Sequence, residues 1–361
     1  MTLIYFLLVL GVTILIHELG HFIFAKKAGV HVYEFSIGMG PKIFTHKRKN
    51  DETEYTIRLF PIGGFVSMAG EDMEDENKSI PKEKQLISKK WHERFMTIAA
   101  GVIFNFILAI ILLFIVGLFT GNPINKATIE SIEPDYPAHN VLEVGDTIIK
   151  INNKKVNNLD ILALELQIQN GKEVTFTVIN NKGKEEIKKI TPKAITDDDT
   201  TTYVYGFTLK NEVEKGIIPA IKYAFTKTFS LIQQMALIIF YLITGKLSIS
   251  SLSGPIGIYT IVGQSAEAGL ISLIYLTAYL CINVGFINFI PLPAFDGGRL
   301  LFLLIEKIKG SRIKPEIENT IHSIGFILLM ILMAIITCND IIRIFNWKTW
   351  RSFFIFCRKH K

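Results

Sequence analysis

The chain has 361 residues, 49% of them hydrophobic, a formal net charge of +6 and a mean hydropathy of +0.35. That balance points to a membrane protein and argues against a single soluble fold. Its basic residues gather beside apolar runs, at Lys26 and Lys27 and at Lys89, Lys90 and Arg94, without the interleaved aromatics of a nucleic-acid surface, so no nucleic-acid partner is expected.

In chain order, the first apolar run is Leu3 to Phe24. It has no basic segment before it and no small-residue cleavage site before Lys26, so it is expected to remain as a helix with its N-terminus outside and Lys26 and Lys27 in the cytoplasm. The stretches 32–37, 55–60 and 63–68 alternate and are punctuated by Gly and Pro, which predicts β-hairpins. An acidic linker, Glu71 to Glu76, and a lysine-bearing stretch to Lys90 lead to a second span, Phe95 to Phe119.

Residues 122–215 read as a soluble unit, a small α+β or partly open barrel domain. Short strands are expected at 128–132, 147–151, 174–178 and 186–190, with one helix from Leu159 to Gln169. Ile217 to Leu242 is apolar but interrupted by Lys222, Lys227, Gln233 and Gln234, the pattern of an amphipathic helix lying in the interface. Two more spans follow, Leu270 to Ile290 and the region around Ile324 to Ile336. Four crossings place 122–215 outside the cytoplasm and the basic 299–314 loop inside it. The basic tail from Arg343 to Lys361 then falls on the outer side, against the charge rule. Cys281, Cys338 and Cys357 are widely separated and indicate neither a disulfide framework nor a cysteine metal site.

The chemistry begins inside the first span. His17, Glu18 and His21 stand in an otherwise apolar helix, where ionisable groups are costly and mark function by default. Positions i and i+4 share a helix face, so His17 and His21 can direct two imidazoles at one metal, with Glu18 beside them to handle a proton. At 1.5 Å per residue from Lys27, His21 and His17 lie about 9 and 15 Å into the membrane. A catalytic zinc usually takes three protein ligands and a water, and no third histidine follows within the same helix. Asp296, in the Pro/Gly-broken run from Asn288 to Gly298, is the strongest candidate for the third; His322, before the fourth span, is an alternative but reads better as an interfacial histidine. Asp296 reaches the depth of the histidines only if Ile217 to Leu242 does not cross. Otherwise about 30 Å of hydrocarbon would separate them.

Taken together, His17-Glu18-x-x-His21, Gly38-Met39-Gly40-Pro41, Pro61-Ile62-Gly63-Gly64-Phe65-Val66, Ser253-Gly254-Pro255-Ile256-Gly257 and the run from Asn288 to Gly298 resemble the site-2 protease family of intramembrane zinc metalloproteases, most closely its bacterial branch, the regulator of sigma-E protease. The resemblance covers nearly the whole chain in order. It implies one zinc ion held by the residues at His17, His21 and Asp296, with Glu18 as general base. It also implies single-span membrane proteins, already clipped once, as substrates. By the same resemblance Asn288, Gly63, Gly64 and Pro291 belong to substrate binding, and 122–215 is a PDZ domain that takes peptide ends, where the sigma-E protease has two. The expected fold is a polytopic α-helical membrane protein of four transmembrane helices, with cytoplasmic membrane-associated β-hairpins and one extracytoplasmic α+β PDZ-like domain. Its expected divisions are 1–121, 122–215, 216–250, 251–345 and a basic tail, 346–361, in the bacterial cytoplasmic membrane. A PDZ-bearing adaptor without catalysis, or a metal or proton transporter using the same His, Glu and Asp groups, would account for parts of the pattern.

Overall fold

The computed structural model describes residues 1–49, 51–71, 80–123, 126–197 and 200–358, with the side chains of 343–358 left aside. Most of the acidic linker and the last residues of the basic tail lie outside the described residues. The chain divides into two compact units, Met1–Leu112 with Ser248–Lys361, and Leu113–Leu247.

The first unit opens with α1, Thr2–Lys27, whose apolar sequence carries no helix breaker and ends on Lys26 and Lys27, suited to the negative end of the helix dipole. Two long strands follow, β1 (Val32–Lys47) and β2 (Glu54–Met68). In place of separate hairpins they form one antiparallel pair with repeated register shifts. Phe35 is opposite both Val66 and Tyr55, and Ile37 opposite both Gly64 and Ile57. The strands bend where glycine permits it. Gly38 and Gly63 have φ of 88° and 87°, and a Cβ on Gly38 would stand 2.6 Å from Phe60 O. Val32, Phe35, Val66 and Met68 pack with Ala25 and Val30 into a small core, while Met39, Ile43, Phe44, Ile57, Leu59 and Phe60 are exposed.

α2 spans Trp91–Thr120 and crosses the boundary between the units. Its start is pinned to a later helix by Arg94, whose guanidinium donates to both Glu306 oxygens at 2.9 and 3.0 Å.

In the second unit, β3 (Asn122–Pro123) and β4 (Ile129–Ile132) precede β5 (Thr147–Ile151), β6 (Lys154–Lys155), α3 (Leu159–Gln169), β7 (Val174–Ile179) and β8 (Glu185–Ile190). Then come β9 (Lys193–Asp197), β10 (Thr200–Val204), β11 (Phe207–Leu209), β12 (Val213–Glu214) and α4 (Ile217–Ile243). Strands β6-β5-β7-β8 form a four-stranded antiparallel sheet, and β4 pairs with β11. Alternate residues Val174, Phe176 and Val178 face the core with Ile129, Ile148, Ile151 and Leu162, as the two-residue period of a half-buried strand requires. Asn158 caps α3 by accepting from Ile161 N–H. α4 is matched to α3 along its length: Asp160 meets Lys227 at 2.6 Å and Ser230 at 2.5 Å, Asn158 donates to Gln233, and Glu165 meets Tyr241 and Lys154.

The first unit resumes with α5 (Pro255–Glu267), α6 (Leu270–Phe289), α7 (Asp296–Lys309) and α8 (Pro315–Arg358). α7 corrects the sequence expectation of a basic loop over 299–314. Leu300 and Leu303 are buried on one side and Lys307 and Lys309 lie in the last turn, so an amphipathic helix replaces the loop. Five described helices are long and apolar enough to cross a membrane: α1, α2, α4, α6 and residues Glu316–Ile342 of α8. The fifth beyond the sequence count is α4, of which Lys227, Ser230, Gln233 and Tyr241 are matched to α3.

Candidate metal centre

The site lies where α1 meets α2. A Cβ on Gly20 would stand 2.4 Å from Ala100 O, so this glycine lets the two backbones approach. One turn away, His17 and His21 share a face, and α2 answers with Thr97, Gly101 and Asn105, spaced four apart on one stripe. His21 Nδ1 donates to Thr97 O at 2.9 Å. Asn105 Nδ2 lies 3.3 Å from His17 Nδ1. Between them Gly101 leaves room for both rings, since a Cβ there would be 2.4 Å from His21 Nε2 and 2.8 Å from His17 Cε1.

With both Nδ1 atoms engaged by α2, both Nε2 atoms turn to Asp296, the first residue of α7. Asp296 Oδ2 is 3.1 Å from His17 Nε2 and 3.3 Å from His21 Nε2, and the two Nε2 atoms are 3.2 Å apart. Asp296 reaches this point because α7 begins tight against the end of α6. A Cβ on Gly297 would be 2.2 Å from Ile290 O, and one on Gly298 2.5 Å from Leu292 O. Among the described residues, His17, His21 and Asp296 are the group whose ligand atoms converge for a metal. The donor set fits a tetrahedral cation of zinc's size. Bonds of about 2.0–2.1 Å give a tetrahedron an edge of about 3.3 Å, close to all three separations.

Glu18 sits next to the pair and faces β2, where a Cβ on Gly64 would be 3.9 Å from its Cγ and 2.6 Å from Ser36 O. The absence of a side chain at Gly64 leaves the β1–β2 pair close to the Glu18 carboxylate. Asn288 is half-buried in the last turn of α6 and Pro291 is exposed in the loop leading to Asp296. His322 is not drawn into the cluster. Its Nδ1 accepts from Ala294 N–H at 3.1 Å, so it buttresses the loop before Asp296, where Ala294 adopts φ of 78°. Thr97, Gly101 and Asn105 escape the motif-based reading. Their signal is two polar residues and a glycine at helical spacing in an otherwise apolar span.

A family model, peptidase family M50, matches residues 5–332. The chain belongs to peptidase family M50. Among curated relatives, the zinc metalloprotease RasP of Geobacillus kaustophilus is 32% identical, with 95% of this chain and 98% of that protein covered. A putative zinc metalloprotease of Clostridium acetobutylicum is 36% identical over 94% and 97%. The regulator of sigma-W protease RasP of Bacillus subtilis is 33% identical over 95% and 99%. Membership of family M50 accords with the His-Glu-x-x-His helix and with several helices long and apolar enough to cross a membrane.

Proposed function

We propose that this M50 chain is an intramembrane zinc endopeptidase that hydrolyses a peptide bond in or near the transmembrane segment of single-span membrane proteins. The convergence of His17, His21 and Asp296 within 3.3 Å carries the reading. These three residues would hold one Zn2+. When bound, the ion lowers the pKa of a water toward about 7 and polarises a carbonyl. Glu18 takes the proton of the attacking water and passes it to the leaving amine, a transfer worth about 10²–10⁴-fold.

A helical substrate hides its carbonyls in intrahelical bonds, so it must unwind before attack. The β1–β2 pair, bent at Gly63 and close to Glu18 at Gly64, receives the extended segment as an added strand and satisfies its freed backbone groups. Asn288 holds a substrate carbonyl through its amide, and Pro291, exposed in the loop between Asn288 and Asp296, contacts the same segment. The exposed apolar side chains from Met39 to Phe60 rest in the membrane interface.

In this reading α1, α2, α6 and α8 cross the bilayer of a bacterial cytoplasmic membrane and α4 does not. A helix whose Lys227, Ser230, Gln233 and Tyr241 are matched to α3 would forfeit those partners in hydrocarbon. Residues 122–215 form an extracytoplasmic PDZ-like domain that binds peptide ends, and the basic face of α7 is cytoplasmic. Cleavage follows a first cut by another protease, as in regulated proteolysis of anti-sigma factors or removal of signal-peptide remnants.

The test uses purified wild type and Glu18→Gln with a tagged single-span substrate, with and without a zinc chelator. Glu18→Gln binds zinc and substrate and cuts at most about 1% as fast. Cleavage that survives the chelator, or that does not depend on Glu18, rejects the mechanism.

A further inference from the structure

Asn105 is fully buried on α2, and its two amide atoms differ in their circumstances. Nδ2 lies 3.3 Å from His17 Nδ1, whereas Oδ1 is buried with no hydrogen-bond partner among the described residues. Buried polar atoms are nearly always paired, so this oxygen calls for an account.

The tautomers of the two histidines supply one. A carbonyl only accepts, so the contact with Thr97 O puts a hydrogen on His21 Nδ1, and the neutral ring then has its lone pair on Nε2. The nitrogen of an amide only donates. With Nδ2 facing it, His17 Nδ1 accepts, and the neutral ring then carries its hydrogen on Nε2, 3.1 Å from Asp296 Oδ2. In that arrangement His17 has no lone pair to give at Nε2. To ligate a cation through Nε2 it must carry the hydrogen on Nδ1, and that hydrogen needs an acceptor. A half-turn of the Asn105 amide exchanges two atoms of nearly equal size and brings the unpaired Oδ1 to His17 Nδ1.

We propose that Asn105 is the positioning residue of His17: its amide accepts from His17 Nδ1–H when the metal is bound and turns to donate to Nδ1 when it is absent. The proposal rests on the metal-site reading given above. The amide offers an acceptor and a donor at the same reach from its Cγ, so one side chain serves both arrangements. An aspartate would serve the metal-bound arrangement alone, and a leucine neither. The half-turn trades an unpaired oxygen for an unpaired amide hydrogen, so the amide itself has little preference and the proton on His17 decides its direction. Thr97 O plays the acceptor role for His21 from the peptide backbone, which has no second orientation. The two histidines therefore differ in how firmly α2 fixes their tautomers.

The experiment titrates wild type, Asn105→Asp, Asn105→Leu and His17→Ala with zinc alone, in competition with a chromophoric chelator, in detergent solution. Asn105→Leu weakens zinc binding about 10–100-fold, the usual effect of removing a ligand's outer partner, and Asn105→Asp binds at least as tightly as wild type. Equal affinity of wild type and Asn105→Leu overturns the proposal. So does a loss in Asn105→Asp, because a carboxylate retains the acceptor and lacks only the donor. Where the Leu variant does not fold, a loss of affinity in the Asp variant still overturns the proposal. A wild type that binds no zinc, or binds it as well after His17→Ala, rejects the metal-site reading and this proposal with it. Zinc binding that is lost in His17→Ala and unchanged in Asn105→Leu rejects the proposal alone.

Discussion

Asp340, buried on α8, accepts a hydrogen bond from the Gly257 amide at 2.8 Å in the first turn of α5. Gly254, the residue that caps α5, has no side chain to do this, and Asp340 supplies the acceptor from another helix. A Cβ on Gly254 would stand 2.8 Å from Asp340 Oδ2, so the glycine and the aspartate require each other. Between Glu316 and Ile342 most of the apolar surface of α8 is exposed, and this buried polar bond ties the helix to α5. Asp340→Leu leaves the Gly257 amide unpaired and lowers stability by about 1–3 kcal/mol, while Asp340→Asn keeps an acceptor and loses less. Denaturant unfolding in detergent, followed by tryptophan fluorescence, measures both.

Gly101 tests the packing of the centre. Its added methyl group in Gly101→Ala meets His21 Nε2 at 2.4 Å and must displace both rings. A displacement near 1 Å costs about 100-fold in activity. Zinc titration and cleavage of a tagged substrate are expected to fall together, with the helical circular dichroism unchanged.

Asp51 gives a dependence on pH. The Lys26 ammonium, followed by the Thr53 amide and the Tyr55 hydroxyl, holds its carboxyl below the usual carboxylate range. A carboxyl with a lowered pKa in the folded state binds its proton more readily when unfolded. Its stabilisation is complete above about pH 4, the unfolded value, and is lost as pH falls further. The stability difference between wild type and Asp51→Asn is therefore constant at neutral pH and shrinks below about pH 4, which acid titration of the unfolding midpoint will read.

Phe176 anchors the second unit. It is fully buried, edge-on to Tyr205 and Phe207 with ring centroids 5.7 and 6.2 Å away. Phe176→Ala removes about 3–5 kcal/mol. Limited proteolysis is expected to open cleavage sites between β4 and β11 in the variant under conditions where wild type resists.

Periodicity made much of this architecture legible. The strands at 129–132, 147–151, 174–179 and 185–190 and the helix at 159–169 follow alternation and helical spacing, because each buries a local, regular face. Less legible were α7, whose charged residues obscured a helix resting on Leu300 and Leu303, and the β1–β2 pair, where glycine bends let one segment meet two partners. The partner of His322 stayed hidden for a similar reason. A histidine's partner is a distant backbone amide, and no spacing rule reports it.

The sequence alone determined the chemistry available. His17, Glu18 and His21 share a helix by spacing, and their cost in an apolar span marks them as functional before any fold is known. Tertiary structure decided what that chemistry meets. It brought Asp296 within 3.3 Å of both imidazoles and set Thr97, Gly101 and Asn105 behind them. The reason is that helix periodicity fixes the direction of neighbours along one chain segment. The approach of two helices depends on small residues such as Gly20, Gly101 and Gly297, whose effect exists only once another backbone is beside them.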